Sequence, residues 1–139
     1  MRPVVAVIPA HDEAETIRDV VVRTLARVDR VVVVDDGSTD ATADLAEAAG
    51  ALVVRLSPNV GKGQALVTGL ARASELGAEI VVTLDADGEH DPDDLPRLVA
   101  ALDAADITLG ARHVYRTGVR RAANALALVW FRLLDPSID

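Results

Sequence analysis

RVVVVDDGSTD, residues 30–40, decides how this chain folds. Four valines follow one another with no polar residue between them, so the segment leaves no face for water. A half-solvated strand would alternate; an uninterrupted β-branched run is the pattern of a strand buried on both faces of a parallel sheet. The run then stops at two aspartates and a Gly-Ser-Thr-Asp turn. Ligands of open parallel sheets bind beyond the carboxyl ends of the strands. Asp35 and Asp36 therefore fall where a ligand would be met.

Similar runs lie on either side: PVVAVIPA (3–10), ALVVRL (51–56), EIVVTLDAD (79–87) and DITLGAR (106–112). Helical patterns separate them. Ile17, Val20, Val21, Thr24, Leu25 and Val28 follow an i, i+3, i+4 stripe, preceded by Asp12 and Glu15 in the spacing of a capping box. An Ala-rich segment, 40–49, runs from cap candidates Ser38 and Thr39 to Gly50. Residues 61–76 place Ala65, Leu66, Gly69, Leu70, Ala73 and Leu76 on one side and end at Gly77. Asp91-Pro92 supplies a cap and an N1 proline for a last helix with Leu95, Leu98, Val99 and Leu102 inward. Repeated strand–helix alternation predicts an α/β fold: a mostly parallel, doubly wound, Rossmann-like sheet with helices on both faces. The 139 residues suit one domain.

Composition narrows the function. The formal charge of −8 argues against general nucleic-acid binding, which needs a basic face. Cysteine is absent, so any metal must be held by oxygen or histidine. The apolar run near the N-terminus is too short for a signal peptide, and no run reaches the roughly 18–20 apolar residues of a membrane span.

The acids at 81–94, VVTLDADGEHDPDD, need an explanation. Two carboxylates roughly 4 Å apart at an effective dielectric near 20 repel by about 4 kcal/mol. If the strand persists, Asp85 and Asp87 point the same way and Ala86 points back. Such a pair suits a hard dication, Mg²⁺ or Mn²⁺, with Glu89 as a third contact. Asp91 and Asp94 are read as helix-capping acids and His90 as a loop residue. Gly61-Lys62-Gly63 is not a Walker loop, because the first glycine and the Ser/Thr are missing.

VIPAHDEAETI, VVVVDDGSTDAT, NVGKGQAL and VVTLDADGEHDPDDLPRLV, followed by LGAR at 109–112, stand in the order and spacing of family 2 glycosyltransferases with the GT-A fold. The chain resembles dolichol-phosphate mannose or glucose synthases and related polyprenyl-phosphate glycosyltransferases. The resemblance implies that Pro9, Ala10 and Glu13 line a nucleoside pocket, with Glu13 accepting from ribose hydroxyls. Asp36, with Asp35 beside it, would contact the base, and Lys62 would lie near the nucleotide. Asp85 and Asp87 would be the DxD pair holding the metal against the diphosphate, with Ala86 between them at the nucleotide-sugar and Glu89 where the family often has Gln. Arg112 would lie near the diphosphate or the acceptor phosphate.

Arg116, Arg120, Arg121 and Asn124 precede the apolar run ALALVWFRLL, and all three aromatics, Tyr115, Trp130 and Phe131, fall in this last quarter. Arginines suit a phosphate monoester, and Trp and Phe beside Arg suit a membrane interface, although an ordinary amphipathic helix reads the same way. The family's acceptor region is similar to RRAAN, with Arg120 where a Ser is often found. A phosphate monoester is already ionised near neutrality, with a second pKa near ~6, so no general base is needed.

The expectation is a metal-dependent inverting hexosyltransferase. Its donor would be a GDP- or UDP-hexose and its acceptor a polyprenyl (dolichyl) phosphate at the cytoplasmic membrane face. Family members usually continue past the equivalent of LLDPSID, so the donor half (1–112) is expected whole and the acceptor half (113–139) incomplete. A nucleotide-sugar-binding module without turnover is the alternative. A sugar nucleotidyltransferase is disfavoured because its Gly-rich N-terminal loop is missing.

Overall fold

A computed structural model describes residues 2–105 and 107–110. Met1–Thr108 form one compact unit. Its elements follow in the order β1 (Val4–Ala10), α1 (Ile17–Leu25), β2 (Arg30–Asp36), α2 (Thr42–Ala48), β3 (Leu52–Leu56), α3 (Lys62–Glu75) and β4 (Ile80–Thr83). A 3₁₀ turn (Pro92–Asp94) then leads into α4 (Leu95–Ala101).

All strand pairs are parallel and the spatial order is β3-β2-β1-β4. The four valines of β2 are essentially inaccessible, as the sequence pattern required. Full burial of each contributes about 1.5–3 kcal/mol relative to exposure. Alternate residues feed two cores. Val31 and Val33 join Ala6, Ile8, Ile17, Val20, Val21 and Ala46 beneath α1 and α2. Val32 and Val34 join Val5, Val7, Ala65 and Ala73 beneath α3.

Gly69 sets how closely α3 approaches the sheet. A β-carbon there would lie 2.3 Å from Val7 Cγ1 and 3.0 Å from Val34 Cγ2. Gly50 and Gly77, expected as helix stops, take positive φ values of 102° and 76° just after α2 and α3.

Three expectations are corrected. The first helix begins at Ile17 with Thr16 as its N-cap residue, not within an Asp12/Glu15 capping box. Asp12 instead takes a left-handed φ of 52°, and its Oδ1 accepts from the Thr39 backbone N–H at 2.7 Å. The run at 106–112 forms no strand over its described residues 107–110; Ile107 and Leu109 are exposed and gain no ladder partner there. Finally, β4 ends at Thr83 rather than reaching Asp87.

Pro9 explains that last difference. Leu84 N–H donates to the Val7 carbonyl at 3.2 Å, so Val7 faces β4, and Pro9, two residues on, faces the same way. Proline has no N–H to continue the ladder. Accordingly β1 pairs with β2 as far as Ala10↔Asp35 but with β4 only as far as Val7↔Thr83. The carboxyl ends of β1 and β4 part at the point where the strand order reverses, the usual ligand crevice of such sheets.

Candidate functional site

Four loops meet the carboxyl edge of the sheet. The loops after β1 and β2 are tied to each other. Asp12 N–H donates to Ser38 Oγ at 2.9 Å, Ala14 N–H to Asp40 Oδ2 at 3.1 Å, and Glu13 N–H to Thr42 Oγ1 at 2.8 Å. The Thr42 hydroxyl, fully buried, donates in turn to Asp40 Oδ1. That bond, with the Thr42 and Ala14 backbone N–H groups, holds the Asp40 carboxyl below its usual range. Glu13, a half-exposed residue, is thus fixed by its backbone just after the end of β1, the strand that carries Pro9 and Ala10.

The adjacent aspartates take opposite parts. Asp36 is 4% exposed and both its oxygens are committed: Oδ1 accepts from Val60 N–H at 2.7 Å and Oδ2 from Gly61 N–H at 2.9 Å. Its carbonyl also accepts from His11 Nδ1–H and Asn59 Nδ2 at 2.9 and 3.0 Å. Asp36 is therefore the post to which the loop before α3 is tied. Asp35, 6% exposed, presents a buried Oδ1 that meets no donor from the described protein. Most buried polar atoms are paired, and leaving one unpaired costs about 1–3 kcal/mol. Of the two, Asp35 is the one with a carboxylate oxygen left unpartnered among the described residues.

Beyond β4, burial still alternates: Leu84 and Ala86 are buried, while Asp85 and Asp87 are half-exposed. The turn is closed by Asp87 Oδ1, which accepts from Glu89 N–H at 2.9 Å, and by Gly88 at φ 73°. His90 curls back, its Nδ1 accepting from Asp85 N–H at 3.0 Å, so the remaining proton lies on Nε2. It is a loop clasp, as expected. Lys62, the first residue of α3 and the chain's only lysine, pairs its ammonium with Asp85 Oδ1.

Asp91 accepts from Asp93 N–H and caps the 3₁₀ turn; Arg23 of α1 binds both Asp91 and Asp93, and Arg27, just past the end of α1, binds Asp93. The Arg27 guanidinium, then Arg23, holds Asp93 below the usual carboxylate range. Asp94 pairs with Arg97 at 3.4 Å.

Among the described residues no three His, Asp or Glu side chains gather for a metal, so Asp85, Asp87 and Glu89 do not form a ready three-ligand cage. The donor chemistry still fits a hard dication. Asp85, with a side chain 34% exposed, already carries a cation at Oδ1 in the Lys62 ammonium, and Asp87 follows on the same turn.

Arg112, Arg116, Arg120, Arg121 and Asn124 lie outside the described residues, as do Tyr115, Trp130 and Phe131. No described helix is long and apolar enough to cross a membrane. Sequence reasoning missed Thr16, Asp40, Thr42 and Asn59, the polar residues that join one loop to another. Each is a common cap or turn residue, and nothing in its spacing marks a partner tens of residues away.

Comparison with known proteins supports the same reading. The chain is 33% identical over 126 residues to the UDP-N-acetylglucosamine–dolichyl-phosphate N-acetylglucosaminyltransferase of Methanococcus voltae, covering 76% of this chain and 50% of that protein. It is 36% identical over 118 residues to the undecaprenyl-phosphate mannosyltransferase of Micrococcus luteus, covering 80% and 49%. The chain thus spans about half the length of these curated relatives. Glucosyl-3-phosphoglycerate synthase from Mycobacterium tuberculosis, solved with Mn²⁺, UDP-glucose and phosphoglyceric acid, superposes with a TM-score of 0.65 at 35% identity, covering 76% of this chain and 40% of that one. The fold is that of the GT-A glycosyltransferases. The model for Glycosyl transferase family 2 matches residues 5–138, and the chain belongs to that family.

Proposed function

We propose that this chain carries the donor site of a metal-dependent, inverting hexosyltransferase that moves a sugar from a nucleoside diphosphate to a polyprenyl phosphate. One observation carries the nucleotide reading: the buried, unpartnered Oδ1 of Asp35 at the carboxyl edge of the sheet. Uracil N3–H or guanine N1–H would satisfy it, and Glu13, half-exposed on the neighbouring loop, would accept from the ribose. The diphosphate would then lie toward the turn after β4.

Asp85 and Asp87 would hold Mg²⁺ or Mn²⁺, with water and phosphate oxygens completing its shell. When bound, the ion neutralises charge that develops on the leaving diphosphate. Lys62 would exchange Asp85 for a phosphate oxygen and add a second positive charge. Arg112 would lie by the diphosphate or the acceptor phosphate, and Arg116, Arg120, Arg121 and Asn124 would hold the acceptor headgroup. The acceptor oxygen, ionised without a protein base, would attack C1 of the sugar from the face opposite the departing diphosphate and invert its configuration.

The lipid acceptor is supported by the Methanococcus and Micrococcus relatives, whose names specify dolichyl and undecaprenyl phosphate. It would imply work at the cytoplasmic face of the membrane, where Trp130 and Phe131 would suit a lipid interface. The Mycobacterium synthase, solved with phosphoglyceric acid, favours a second reading with a soluble phosphate-bearing acceptor.

Radiolabelled UDP- and GDP-hexoses, offered with Mn²⁺ and either polyprenyl phosphate in vesicles or phosphoglyceric acid, test both. Label entering lipid, and lost in Asp87→Ala, is the expected result. Label entering the soluble acid selects the second reading. Nucleotide bound in calorimetry without transfer to either acceptor leaves a binding module. If neither UDP nor GDP binds more tightly with Mn²⁺ or Mg²⁺, the proposed function fails.

A further inference from the structure

Thr16 occupies the N-cap position of α1, where threonine ordinarily accepts from a backbone N–H of the first turn. It makes no such bond. Its hydroxyl instead reaches a loop 70 residues away and donates to the carbonyl of Ala86 at 2.7 Å. Glu13 Oε2 lies 3.3 Å from the same hydroxyl and Glu13 O 3.4 Å. A hydroxyl has one proton, and the shortest contact takes it. The carboxylate of Glu13 is therefore left without that donor and keeps its capacity to accept.

Two facts make this contact more than loop packing. Ala86 is the residue between Asp85 and Asp87, and beyond Leu84 its turn has left the β1 ladder. Thr16 also lies near the far side of that turn, since a β-carbon on Gly88 would stand 3.9 Å from Thr16 Cγ2. Glu13, by contrast, is held separately through the Thr42 hydroxyl. Thr16 thus joins a nucleoside side fixed by its own bonds to a diphosphate side that is also tied to α3 through the Lys62–Asp85 ion pair.

We propose that Thr16 is a positioning residue. By holding the Ala86 carbonyl, it fixes how far the Asp85–Asp87 turn stands from Glu13 and Asp35, and so matches the site to the length of a metal-bound nucleoside diphosphate. The inference rests on the nucleotide reading given above and adds a residue to it. Asp85 and Asp87 supply charge wherever the turn lies. Thr16 decides where it lies.

Titration calorimetry of the full chain with UDP, with and without Mn²⁺, separates the possibilities. The quantity read is the factor by which Mn²⁺ tightens UDP binding. Thr16→Val keeps the shape and removes the proton; it should cut that factor about tenfold while metal-free UDP affinity stays within about twofold. Thr16→Ser restores the hydroxyl and should return the factor to within about threefold of the wild type. An unchanged factor in Thr16→Val overturns the proposal. So does an equal loss in the valine and serine variants, because a serine that keeps the hydroxyl should keep the factor. Equal weakening of UDP with and without Mn²⁺ would assign Thr16 a merely structural role. A wild-type protein whose UDP binding ignores Mn²⁺ instead fails the functional reading itself.

Discussion

Replacing Asp35 with alanine should do something unusual for a buried position: weaken binding without weakening the fold. In the structure the Oδ1 of Asp35 is buried and meets no protein donor. An unsatisfied buried acceptor costs about 1–3 kcal/mol, and removing it recovers that amount. Truncation to alanine gives up a little packing, of order 1 kcal/mol, in a side chain with few methylene groups. The two terms nearly cancel, so stability should be unchanged or about 1 kcal/mol higher. In the nucleotide complex the same oxygen would accept a charge-assisted hydrogen bond worth about 1.5–3 kcal/mol. At 1.4 kcal/mol per decade, its loss weakens UDP or GDP binding by about 10- to 150-fold. Urea denaturation and calorimetry on one protein batch measure both numbers. A variant destabilised by more than about 2 kcal/mol that binds nucleotide as before would refute the reasoning, because Asp35 would then be an ordinary structural residue.

Asp36→Ala should show the reverse, a loss of about 3 kcal/mol in urea denaturation, since two backbone N–H groups at 2.7 and 2.9 Å lose a buried carboxylate. Gly69→Ala, a change that favours an exposed helix by roughly 1 kcal/mol, should here cost about 1–3 kcal/mol, because the new methyl would stand 2.3 Å from Val7 Cγ1; an unchanged denaturation midpoint would contradict the packing. Acid should weaken the fold. Asp40 and Asp93 have pKa values lowered from the usual 3.8 by Thr42 and Arg27 respectively. A lowered folded pKa gives stability that is complete above the unfolded value and lost as pH falls through the folded one. The urea midpoint should therefore fall below about pH 4, less steeply in Asp93→Asn.

The sheet was readable because burial leaves a periodic mark. VVVV at 31–34 has no face for water, and Ile17, Val20, Val21 and Thr24 recur at the helical period. Strand ends were less readable. β4 was expected to run to Asp87, and Pro9, on a different strand, is what stops it. Both aspartates of the DD pair were likewise assigned by their place in a motif. Only the bonds from Val60 and Gly61 distinguish the tied Asp36 from the open Asp35. Thr16 shows the same limit: at the head of a helix it reads as a cap, and its partner at Ala86 is invisible to any local window.

The ion pair between Lys62 and Asp85 has a practical consequence. Because the chain has one lysine, an amine-selective reagent finds a single ε-amino group, already located at the mouth of the crevice. Mass spectrometry of one peptide then reports whether that amine is shielded, so occupancy can be followed without engineering a probe into the chain.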